Sequence, residues 1–384
     1  MPAAALYTSP LFRKSLLAAL DTAKQTYILS AKHGLLSCSD LVEPYDITLK
    51  SLSRARRQLW GEDVGRQLDE IVSHRTTATM YCGEEYIAPI RASLTSNGAV
   101  IVEPLTGRSL GKRLQDLAII NREAQLRADI GRFHRMMRML WISQDGGRAF
   151  SESNGRMSWP GRGVYFIMET PGGLTRGAMP RIVRVGTHAI SAGSRTRLWD
   201  RLSTHRGTGS GGGSHRSSIF RSHVGQAIMR RDQGPVWPST WAEGQSAPRS
   251  VRDSEAELEK VVSETIGGMR VIWLDVPDDA GPASERAYLE RNAIGLLSRS
   301  NLLVPSRDED WLGRYSRDWR ICVSGLWNLN HVFTRPNEDF LDRLSSRIAA
   351  MIGPHPALSE NTTPATGAAT QLTFFKPWRT ENAK

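Results

Sequence analysis

Two short apolar runs constrain this chain more than anything else in it. Residues 163–168, headed by Gly163-Val164-Tyr165, and residues 181–186, closed by Arg184-Val185-Gly186, flank a Gly- and Pro-containing connection, so they read as the strands of a hairpin. Helical positions begin near Ser194 or Thr196, where Leu198, Arg201, Leu202 and His205 recur three or four apart. That spacing puts Arg201 and His205 on the same side. Much later, residues 283–298 read as a helix that carries Glu290, and residues 269–276 before it as a buried strand.

A chain of 384 residues is long enough for two domains, and a composition of 40% hydrophobic and 23% charged residues is ordinary for a globular protein. The net charge of +11 rests on Arg: only eight of the 50 basic residues are Lys, leaving 50 − 8 = 42. Arg offers a planar fork that grips phosphate and stacks on bases, so a nucleic-acid partner fits; an Arg-rich composition with a solvated basic surface fits as well. Cys38, Cys82 and Cys322 lie far apart and form no CxxC pair. That argues against a zinc ribbon or disulfide framework and predicts a reducing, cytoplasmic setting. No apolar run approaches the roughly 18 residues of a membrane span, and residues 1–6 lack the marks of a signal peptide, so no membrane partner is expected.

From Leu6 to about Ala118, short apolar runs alternate with helical stretches, which predicts an α/β domain over residues 1–120. Ser9-Pro10 starts a helix, residues 26–30 read as a buried strand, and residues 80–83 and 99–102 as two more. Ser30-Ala31-Lys32-His33-Gly34 then falls just after a strand, where α/β folds bind ligands. Lys32, His33, Glu43, Tyr45 and Asp46, with Asn301, are candidates for a pocket that recognises a base; a solvated loop is the alternative. Leu6-Tyr7-Thr8-Ser9-Pro10-Leu11-Phe12-Arg13, Leu29-Ser30-Ala31-Lys32-His33-Gly34-Leu35-Leu36 and Glu43-Pro44-Tyr45-Asp46 carry a distant resemblance to the YaaA family, which speaks to fold more than to reaction.

Residues 121–141 predict a helix with Leu126, Ile130, Phe133, Met137 and Leu140 on one stripe, and residues 143–160 lose periodicity. A helical linker over 121–160, a second domain over 161–352 and a flexible tail over 353–384 follow.

The order of Gly163-Val164-Tyr165, Arg184-Val185-Gly186, Arg201, His205 and Glu290 resembles the GIY-YIG nuclease fold, which gives the expected architecture: an N-terminal α/β domain joined to an α+β GIY-YIG-like domain with insertions. The resemblance implies that Tyr165 positions or deprotonates the attacking water and Arg201 stabilises the scissile phosphate. It makes His205 a candidate for proton transfer or phosphate contact. Glu290, in Tyr288-Leu289-Glu290-Arg291-Asn292, matches the metal-binding glutamate, and Asn301 the asparagine that often follows. Mg²⁺ or another divalent cation suits one carboxylate with waters and phosphate oxygens. One departure stands out: Arg184 replaces the tyrosine of the second motif. Its pKa is too high for a base, and it could instead hold phosphate.

Between Arg195 and Arg231 the chain has eight Arg against one acid, Asp200, among Gly207, Gly209 and Gly211 to Gly213. Arg184, Arg216, Arg221, Arg230 and Arg231 are therefore the candidate DNA contacts; a flexible insertion with solvated arginines is the alternative. His188, His205, His215 and His223 have no i,i+4 pair and no neighbouring Cys, which disfavours zinc. The leading expectation is a DNA-acting enzyme that hydrolyses phosphodiesters with a divalent metal, in DNA processing or defence against foreign DNA, with other proteins of a modification or defence system as partners. The alternatives are an enzyme modifying a 7-deazaguanine-type base within DNA, and a non-catalytic DNA-binding subunit with a degenerate site.

Overall fold

The computed structural model describes residues 1–72, 76–170, 179–232, 236–304 and 310–353. Most of the expected tail therefore lies outside the described residues. Ser9 Oγ accepts the Phe12 N–H and Pro10 sits in the first turn, so α1 (Pro10–Thr22) starts where the sequence places it. β1 (Tyr27–Ser30) turns through residues 31–33 into β2 (Gly34–Ser37), an antiparallel pair. The Ser30-Ala31-Lys32-His33-Gly34 stretch is thus a hairpin turn, and Gly34 supplies the positive φ of 73° that its exit needs.

α2 (Arg54–Asp69) packs Trp60, Val64 and Leu68 against this hairpin, and the Trp60 indole donates to the Ser30 carbonyl. The next strand, β3 (Thr77–Thr79), lies just ahead of the expected 80–83 run; Met80 still donates to Val102 beyond its end. β3 pairs in parallel with β4 (Val100–Val102) through short intervening helices. α3 (Leu110–Ile120) follows, and Arg122 at φ 51° breaks it from α4 (Glu123–Ser143).

The second half is built on an antiparallel sheet in the order β5-β8-β6-β7, of β5 (Arg148–Ala149), β6 (Gly163–Glu169), β7 (Arg181–Gly186) and β8 (Arg270–Asp275). One face carries Val164, Phe166, Ile182, Val185, Ile272 and Leu274. α4, α8 (Glu285–Leu303) and α9 (Phe340–Ile352) close it, with Phe133 of α4 edge-on to Phe166. α4 thus lies along the sheet with Leu126, Phe133, Met137 and Leu140 buried. On the opposite face, Tyr165, Ile167, Val183, Val271 and Trp273 meet α5 (Leu198–Arg206), α6 (Ile219–Arg231) and α7 (Arg249–Gly267). The chain is a mixed α/β protein, its N-terminal α/β part followed by an α+β part with helical insertions.

The two parts touch through a charged contact inside an apolar seam. Leu302 and Phe333 share a cluster with Leu16, Leu17 and Ile28, and there Arg299 of α8 pairs with Asp21 of α1, their side chains 3% and 10% exposed. Asp21→Ala leaves that guanidinium buried without its counter-charge, so urea unfolding should show a loss of about 3 kcal/mol. Adding Arg299→Met should recover much of it.

Candidate active site

A break in strand register brings the site together. β7 pairs Gly186 with Tyr165 and Arg184 with Ile167, then skips Val183 to pair Ile182 with Met168. This is a β-bulge, in which two residues oppose one. In consequence Val183, Arg184 and Gly186 all fall on the Tyr165 side of the sheet. A Cβ at Gly186 would lie 2.2 Å from the Tyr165 hydroxyl oxygen, so only glycine leaves the phenol room to cross its neighbour strand.

Tyr165 Oη is 2.8 Å from His205 Nε2, and His205 Nδ1 is 2.8 Å from Ser218 Oγ. Tyr165 is 1% exposed; His205 and Ser218 are fully buried. Burial, then the positive charges of Arg184, Arg201 and Arg221, hold His205 well below the usual imidazole range, so the ring is neutral. Local sequence explains both supports. His205 ends α5, whose first turn is fixed by Asp200 Oδ2 accepting from Arg197 N and whose end is set by Gly207 at φ 81°. Ser218 is the N-cap of α6 and accepts from Arg221 N.

Glu290 arrives from the other layer, on α8, and reaches around the end of β7 to accept from Thr187 N at 3.2 Å. Burial pushes its carboxyl up to about 7, against the lowering influence of Arg184, Thr187 N–H and Arg201. Arg184 is 9% exposed; it donates to the Trp327 carbonyl and lies 5.1 Å from the Phe220 ring centre. Neither Arg184 nor the half-buried Arg201 has a carboxylate within ion-pair distance among the described residues. Tyr165, Arg184, Arg201, His205 and Glu290 therefore share one neighbourhood, as their order in the sequence suggested. Thr187 was missed there, because a backbone N–H leaves no pattern to read, and nothing in the sequence paired Ser218 with a histidine 13 residues away.

The Arg-rich insertion behaves otherwise. Arg221 is fully buried: Nε donates to Glu259 Oε2 at 3.0 Å, Nη1 to the carbonyls of His205 and Arg206, and Nη2 to Ser263 Oγ. Arg216 holds Glu255 in a two-pronged pair with a side chain only 8% exposed. Arg230 donates to the Ser316 carbonyl, and Arg231 pairs with Asp232 at the surface. The expectation that Arg216 and Arg221 offer a DNA surface is corrected: Glu255 and Glu259, one turn apart on α7, neutralise them. His215 joins the same network, its Nδ1 2.9 Å from Glu259 Oε1 while Nε2 accepts from Ala242 N. The local charge count overlooked acids lying dozens of residues later in the chain.

In the N-terminal part, Lys32, His33 and Tyr45 do gather. His33 stands edge-on to the Tyr45 ring at 5.3 Å, Lys32 Nζ lies 5.7 Å from it, and the Tyr45 hydroxyl bonds both Ser30 Oγ and Tyr7 Oη. Glu43 and Asp46 are exposed beside them in sequence. Asn301 does not join them; it donates to the Ser324 carbonyl and caps a short helix in the second half. Asn328 clamps both the N–H and the carbonyl of Val185 and so covers the free edge of β7.

A hairpin tyrosine, a helix arginine and a carboxylate from a later helix, set around an antiparallel sheet, define a nuclease-type module. Residues 124–353 match the GIY-YIG domain, and the chain belongs to that family. A nuclease-type activity on DNA, with DNA as the substrate, is what that membership brings. Residues 1–119 match a family of unknown function (DUF6884). No curated protein and no solved structure matched the chain. Among the described residues no helix is long and apolar enough to cross a membrane.

A carboxyl raised from its ordinary 4.5 to about 7 makes the charged folded state costly above that range. With no metal added, Glu290→Gln should therefore be more stable than the parent at pH 8, by about 2 kcal/mol. Thermal melting should show the gap narrow as pH falls from 7 to 4.5 and close below it, where both states bind the proton.

Proposed function

We propose that the second half cuts phosphodiester bonds in DNA with the help of a divalent cation, and that Tyr165, Arg201, His205, Arg184 and Glu290 do the work. The observation that carries this reading is the hydrogen-bonded chain Tyr165–His205–Ser218 beside two guanidiniums with no carboxylate partner among the described residues and a carboxyl group whose pKa is raised to about 7. His205, neutral and crowded by Arg184, Arg201 and Arg221, is a poor proton acceptor. Its part is to take the Tyr165 O–H as a hydrogen bond, which leaves the phenol oxygen's lone pairs to align an attacking water. Arg201 and Arg184 stabilise charge that builds on the scissile phosphate.

Nucleases of this family commonly use a divalent metal. Mg²⁺ suits a single carboxylate such as Glu290, since it keeps its waters and takes phosphate oxygens. The high carboxyl pKa fits too, because a cation there would offset the cost of the buried charge. Such an ion would polarise the phosphate and lower the pKa of a bound water. The boundaries at about 120 and 160, the likeness of the first part to the YaaA family, a role in defence against foreign DNA and partners from a modification system belong to this proposal.

A second reading is a DNA-binding module whose site no longer cuts. Tyr165 at 1% exposure favours it, as does Arg184 in place of the second tyrosine. Plasmid and modified phage DNA, incubated with Mg²⁺ and scored for strand breaks, separate the two. Tyr165→Phe, Arg201→Ala and Glu290→Gln should each lower cleavage about 10²-fold or more with the fold intact. Full activity in all three would overturn the assignment; DNA binding without cleavage by the parent protein would favour the silent module. A changed nucleoside mass without breaks would point to base modification.

A further inference from the structure

The N-terminal part contains a cavity of about 820 Å³ that the cleavage site does not use. Its size falls within the range of small-molecule sites. It opens between the two small sheets: β1 and β3 line it, while β4 does not. Among the described residues β1 is paired only with β2 and β3 only with β4, so each of these lining strands keeps one edge that its own ladder leaves unused. Such edges present N–H donors and carbonyl acceptors in alternation.

The side chains narrow the ligand further. Tyr7, Phe12, Tyr81 and Tyr86 supply aromatic surface, and Lys24, exposed, is the one charged residue that lines it among the described residues. Burial, with Glu85 and Glu103, pushes the Cys82 thiol up to about 12, so it stays uncharged. A charged ligand would lose its hydration there with little in return. Ser15, 8% exposed, lines the same cavity with a buried hydroxyl that has no hydrogen-bond partner. An unpartnered buried hydroxyl costs free energy unless something meets it. Aliphatic ligands would leave both Ser15 and the strand edges unmet. A flat heterocycle with a donor and acceptor rim meets them and packs its faces against the rings.

We infer that this cavity binds an uncharged nucleobase, as a free nucleoside or as a base turned out of a strand. The test reads binding alone, so it succeeds or fails apart from the cleavage reaction. The full chain is titrated calorimetrically with adenosine, guanosine, cytidine and thymidine. At least one should bind with a Kd below about 100 µM. Ser15→Leu combined with Ala78→Leu fills the cavity and should weaken that nucleoside at least tenfold, with DNA cleavage unchanged. Should that variant misfold by circular dichroism, Ser15→Ala takes its place, and a loss of about threefold or more is expected. No nucleoside bound up to millimolar concentration, or binding indifferent to Ser15, overturns the inference.

Discussion

A single guanidinium with no exposed surface holds the reactive side of the sheet together. Arg221 springs from the first turn of α6, grips Glu259 of α7 and takes the carbonyls at the end of α5. Three helices are thereby fixed against one another. Isolated, a buried charge of this kind would be ruinous; here it is matched by a carboxylate and four further acceptor contacts, which is the condition under which such a group is tolerated. His205 hangs from one of the carbonyls that Arg221 binds, and Ser218 caps the helix that carries Arg221. The direction of the Tyr165 hydroxyl is therefore set by an ion pair that never touches it.

This arrangement gives the basic insertion a different meaning from the one its composition suggests. A cluster of arginines over some 35 residues reads as a surface for a polyanion, yet its inner members spend their donors on protein carboxylates and carbonyls. The outward-facing cations are Arg195 and Arg197, in the loop before α5, and Arg231, which keeps Asp232 beside it. Long-range attraction for DNA survives in the net charge of the chain, whereas on the proposed function the grip on a phosphate falls to Arg184 and Arg201.

Much of the architecture could be read from pattern alone, for reasons visible element by element. β7 begins and ends where its apolar run does, and α8 starts two residues later and ends five residues later than the expected helix over 283–298, because strand alternation and helix spacing are local signals. β3 was displaced toward the following residues because Met80 to Gly83 are as apolar as a strand, while Thr77–Thr79 are not. β2 hid inside what looked like a ligand loop, since a three-residue turn leaves no separate signature. Order in the sequence also pointed to Tyr165, Arg184, Arg201, His205 and Glu290, side chains that lie near one another in the fold. What order could not convey was pairing: that Glu255 and Glu259 would claim Arg216 and Arg221, or that Asn301 would cap a helix instead of joining Tyr45.

The bulge at Val183 has a further consequence, for how this strand can change through descent. In an unbroken strand, Ile182 facing one core would send Arg184 and Gly186 to that same core and set Val185 opposite Tyr165, where no side chain has room. The extra residue makes the two ends of β7 answer to different parities. Deleting Val183 would restore plain alternation and leave Arg184 opposite Ile167 and Gly186 opposite Tyr165, so what the bulge adds is a second apolar side chain, Val183, on the Tyr165 face.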